Sequence, residues 1–123
     1  MAERGKLDLA REQLVRVQSA SIEPVDWLGL AIFAFYALEN AVVAAADHLG
    51  LPWKPTHPSK VEASRLLSGN HGLPDVADLL VQLNELRKSE AYGELLAPTE
   101  LDAEDIAIAV ERYVAAVERL GET

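Results

Sequence analysis

Apolar residues recur every three or four positions in five separate stretches of this chain, and nowhere do they alternate as in a half-buried strand. That pattern predicts an all-α protein. In the first stretch Leu7, Ala10, Leu14, Val17 and Ser21 fall on one side of a helix. Pro24 marks the first turn of a second helix, because a proline there gives up no hydrogen bond that the helix needs. This second segment, DWLGLAIFAFYALENAVVAAADHLG, carries no charge from Trp27 to Leu38 and is apolar nearly all round, with Gly50 as its stop. A helix of that kind has to be surrounded by others.

The connector LPWKPTHP holds three prolines, after which Ser59 and Glu62 have the Ser-x-x-Glu spacing of a capping box for a short third helix ending at Leu67. SGNHG then interrupts the pattern. Pro74 opens a fourth helix whose stripe runs Val76, Leu80, Leu83, Arg87, broadened by Leu79 and Leu86. Beyond Gly93 and Pro98, Asp102 caps a fifth, in which Ile106, Val110, Tyr113, Val117 and Leu120 form a continuous seam. At 123 residues, with no repeat or interdomain linker, a single domain spanning 1–123 is expected.

Charge narrows the function classes. The net charge is −9, and residues 101–123 hold six acidic and two basic side chains, against three acidic and four basic in residues 1–22. A surface built to hold nucleic acid without sequence preference has the opposite balance, which leaves only a local basic patch. With no cysteine, disulfides and thiolate metal sites are excluded. The charged N-terminal stretch lacks a secretory signal, so a cytoplasmic location is expected. Trp27 to Ala46 has about the twenty residues that a bilayer span requires, yet Glu39 and Asn40 interrupt it and no basic flank follows; no membrane partner is expected.

The polar residues inside these apolar stripes are where chemistry could reside. Arg87 comes seven residues after Leu80 and four after Leu83, so it leaves the fourth helix from its packed side, and Asn84 shares that side. A half-buried arginine needs acceptors, and Glu39 and Asn40 are the matching anomaly in the second helix. A polar contact between helices two and four follows, with Glu39 and Asn40 on one side and Arg87 on the other. Such a pair can serve only to fix register, or it can line a groove that presents Arg87 to a phosphate.

Other candidates carry less chemistry. Tyr92 and Gly93 read most simply as a bundle lid and a helix stop. None of His48, His57 and His71 pairs with another at the spacing of a helix-borne metal site, so neither metal nor cofactor is expected. His57 and His71 flank the third helix and could meet in space. Glu100, Asp102, Glu104 and Asp105 cluster where a helix start favours negative charge. Trp27 and Trp53 pack the core and its rim, with Trp53 alternatively exposed at a partner surface. Phosphate loops, dinucleotide fingerprints and hydrolase elbows are absent.

AFYALENAVVAAADHLG, then THPSKVEASRLL, LLVQLNELRKSEAYG and EDIAIAVERYVAAVERL, in that order, resemble the HEPN superfamily of small helical domains, from about residue 10 to 120. The resemblance implies a five-helix up-and-down bundle, frequently a homodimer, of the kind found in toxin–antitoxin pairs, nucleotidyltransferase-linked systems and RNA-cleaving enzymes. Active HEPN ribonucleases place a histidine after an arginine with four to six residues between them. Arg87 matches the arginine as the candidate catalytic residue, but Tyr92, Gly93 and Glu94 occupy the histidine positions, and Lys88 follows the arginine. The expected function is therefore a noncatalytic interaction or nucleotide/RNA-associated module, with Arg87, Asn84, Tyr92, Glu39 and Asn40 at its groove. Two alternatives remain. One is an active metal-independent ribonuclease whose acid/base group comes from Tyr92, from His57 or across a dimer; the other is a purely structural partner protein.

Overall fold

The computed structural model of the chain describes residues 5–91 and 101–121. Five helices make up the fold: α1 (Lys6–Ala20), α2 (Trp27–Leu49), α3 (His57–His71), α4 (Ala77–Ala91) and α5 (Ala103–Leu120). There is no strand among the described residues. The protein is a single all-α domain.

The composition of α2 dictates its place. It touches each of the other four helices, while α1 also packs on α5 and α3 on α4. Its alanines at 31, 34, 37, 41, 45 and 46 are all buried, and small side chains on several faces let neighbours approach from several directions. Leu30, Leu38 and Val42 fill the spaces between, against Val17 of α1, Leu80 and Leu83 of α4, and Val110, Tyr113 and Val114 of α5. By length and composition α2 could also cross a membrane; in this fold 67% of its most apolar window is covered by protein.

The helix ends depart from the expected ones for local reasons. α2 starts at Trp27 rather than at Pro24, because Asp26 accepts a hydrogen bond from the Gly29 amide at 3.0 Å and so caps the helix. α3 starts two residues before Ser59. Thr56 is its cap, accepting from the Ser59 amide at 3.3 Å, while the Ser59 hydroxyl accepts from the Lys54 amide at 2.7 Å instead of forming a capping box. The helix also runs through SGNH to Gly72, whose φ of 72° suits a residue without a Cβ. α4 begins at Ala77, beyond Pro74, with the Asp75 carboxylate accepting from the Ala77 amide at 3.1 Å. Asp102 caps α5 as anticipated, accepting from the Asp105 amide at 3.1 Å.

The connector after Gly50 is tied back to the helix it leaves. The Trp53 indole donates to the Asp47 carboxylate at 2.7 Å, which fixes the direction in which the chain approaches α3.

Candidate functional site

The polar residues of α2 do not meet Arg87 in the way their spacing suggests. Glu39 is buried, and its carboxylate faces the first turn of α3: Oε2 lies 3.2 Å from His57 Nδ1, and Oε1 accepts from Lys60 Nζ at 3.3 Å. His57 and Lys60 stand one turn apart on α3 and so present the same face to Glu39. Asn40, one residue on, turns the other way and donates to Gln13 of α1 at 2.8 Å. The expected ion pair between Glu39 and Arg87 is therefore replaced by a Glu39–His57–Lys60 cluster, with Asn40 in the α1 interface. Two α3 nitrogens within reach of the carboxylate take the place of the single group expected from α4.

Arg87 is half-buried, and its partners are aromatic. Its guanidinium carbon sits 4.9 Å from the centre of the Phe35 ring and 5.9 Å from that of Tyr36, within cation–π range of both. Nη2 donates to the Oδ1 of buried Asn84 at 2.8 Å, one turn back on α4, which orients the guanidinium plane. Nε is enclosed without a hydrogen-bond partner, and among the side chains the structure describes, which leave out Glu90, no carboxylate pairs with Arg87.

Phe35 joins the two halves of the site. The His57 ring lies 5.2 Å from it, tilted by 45°, so His57 and Arg87 both pack on this one aromatic side chain. Tyr36 meets it edge-on at 5.4 Å and remains 40% exposed, which makes it the outer wall. His57 Nε2 is enclosed and unpartnered, as Arg87 Nε is. Lys60 and His57 thus hold the Glu39 carboxylate on one side of the site, and the Arg87 guanidinium lies on the aromatic pair at the other. An arrangement of this kind is chemically suited to an anion that takes hydrogen bonds from a planar guanidinium.

Of the residues expected at a groove, Arg87 and Asn84 are together, Glu39 lies on the far side of Phe35, and Asn40 is elsewhere. Tyr92, Gly93 and Glu94 lie outside the described residues. His57 and His71 do not meet: they are the two ends of α3, about 20 Å apart at helical rise. Among the described residues no three His, Asp or Glu side chains converge as metal ligands. Sequence reasoning missed Phe35, Tyr36 and Lys60. Phe35 and Glu39 are four apart on α2, and His57 and Lys60 three apart beyond the prolines, so the signal was a pair of matching helical spacings.

No known protein family, no curated protein and no solved structure matches this chain.

Proposed function

We propose that this protein is a noncatalytic HEPN-like module that binds a phosphate-bearing ligand, a nucleotide or RNA, at Arg87. The carrying observation is a half-buried guanidinium held by Asn84 and two aromatic rings, with no carboxylate partner among the described side chains. Burying a charge without a counter-ion is costly, and a ligand phosphate would offset that cost with charge-assisted, bidentate hydrogen bonds. Lys60 adds positive charge nearby, while Glu39 holds Lys60 and His57 in place. The same reading makes the chain cytoplasmic and homodimeric, with a protein partner in a toxin–antitoxin or nucleotidyltransferase-linked system. The order of helices and the local motifs support that assignment.

One observation favours a second reading, that of a metal-independent ribonuclease. Glu39 orients His57 through Nδ1, an arrangement that suits His57 to acid/base work in place of the missing histidine. Against it, Nε2 is enclosed and must be uncovered before it can exchange a proton with a ribose hydroxyl. Incubation of cellular RNA with the protein in chelator separates the two. Under the binding reading the wild type leaves RNA intact but retains a single-stranded oligonucleotide on a filter, and Arg87→Ala weakens retention by roughly tenfold or more with little loss of stability. Cleavage abolished by both His57→Ala and Arg87→Ala would establish the ribonuclease. Loss of stability in proportion to loss of binding would reduce Arg87 to a structural contact.

A further inference from the structure

The exposed aromatic beside Arg87 adds a second specificity to the site. From Trp27 to Leu38 the α2 segment carries no charge and most of its side chains are covered, yet Tyr36 keeps 40% of its surface open beside the Arg87 guanidinium. Phe35 braces the Tyr36 ring edge-on at 5.4 Å, and the Arg87 guanidinium lies 5.9 Å from its centre. The ring is therefore braced from within and open at the surface. A braced, half-open aromatic next to a phosphate-binding guanidinium is the pairing by which proteins hold an unpaired base and its backbone together.

We propose that Tyr36 is a base-stacking subsite, so that the ligand is an unpaired nucleotide unit with its base on Tyr36 and its phosphate at Arg87. This rests on the reading of Arg87 as an anion site. The interior of a duplex does not suit the contact, because a base paired there has both faces covered by its neighbours. A bare phosphate or polyphosphate would use Arg87 and leave Tyr36 idle. Asn84, whose amide oxygen is engaged by Arg87, acts as a positioning residue and not as a base reader.

The test compares two single-stranded probes of equal length and charge, an oligouridylate and an abasic ribose-phosphate chain, on the wild type and on Tyr36→Ala, Tyr36→Phe and Arg87→Ala. Wild type should hold the oligouridylate roughly tenfold tighter than the abasic chain, and Tyr36→Ala should erase that preference without weakening the abasic probe. Tyr36→Phe, which keeps the ring, should retain the preference. Arg87→Ala should weaken both probes. Tyr36→Ala that leaves the preference intact overturns the stacking subsite while the Arg87 reading stands. Equal binding of both probes by Arg87→Ala and wild type overturns the Arg87 reading itself. Competition by uridine monophosphate, alongside the oligouridylate, tells a mononucleotide ligand from a strand; either one supports the subsite.

Discussion

Tyr113 is fully buried in α5, and its hydroxyl has no hydrogen-bond partner among the described residues. Burial pushes its phenol well above the ordinary tyrosine range, because the phenolate cannot be solvated there. Below about pH 10 both the folded and the unfolded chain carry this phenol protonated. Above that, the unfolded chain loses the proton and the folded chain keeps it, so stability falls as pH rises, by about 1.4 kcal/mol per unit at the steepest. Tyr113→Phe should remove this alkaline loss and, by deleting an unpaired buried hydroxyl, raise stability at neutral pH by roughly 1 kcal/mol. Urea unfolding at neutral pH and above pH 10 measures both effects; a destabilised phenylalanine variant would mean that the hydroxyl has a partner.

At the level of helices, the ends carry most of the information that sequence patterns blur. Gly50 closes α2 with φ of 71°, and a Cβ there would meet no atom within 4 Å. Gly50→Ala therefore tests backbone strain alone, and it should cost about 1 kcal/mol in chemical unfolding, with Gly50→Asn recovering part of the loss. No change in midpoint would show that another contact, such as Leu51 N–H to the Ala46 carbonyl at 2.8 Å, closes the helix unaided. Most of the α5 seam was legible: Ile106, Val110, Tyr113 and Val117 are all buried, as a 3.6-residue period requires, while Leu120 at its end is only partly covered. Helix starts were less legible, because Pro24, Ser59 and Pro74 each compete with a nearby side chain, Asp26, Thr56 and Asp75, and only geometry decides which one reaches an amide. The partner of Glu39 was illegible for a related reason. It depends on where the proline connector sets α3 down across α2, and no helical period encodes that.

Across the whole molecule, the charge distribution sets how the proposed ligand is held. In a chain of net charge −9, a site built on Arg87 with Lys60 nearby neutralises only one or two phosphates. Binding of a single-stranded probe should then weaken with salt only gently, with a logarithmic slope of about −1 to −2. A titration between low and physiological salt reads it, and a slope several times steeper would move the contact from Arg87 to a broad basic surface. The all-α architecture was readable from periodicity alone; the site at Phe35 was not, since it is assembled by three helices whose mutual placement is a property of the assembled core. Trp27 and Trp53, the two indoles of the chain, bracket α2, and Trp53 is held by a carboxylate only four residues before His57. The central helix thus carries an intrinsic optical reporter at each end, and a ligand that draws His57 outward would change the colour of light emitted by Trp53 while leaving that of Trp27 as it was.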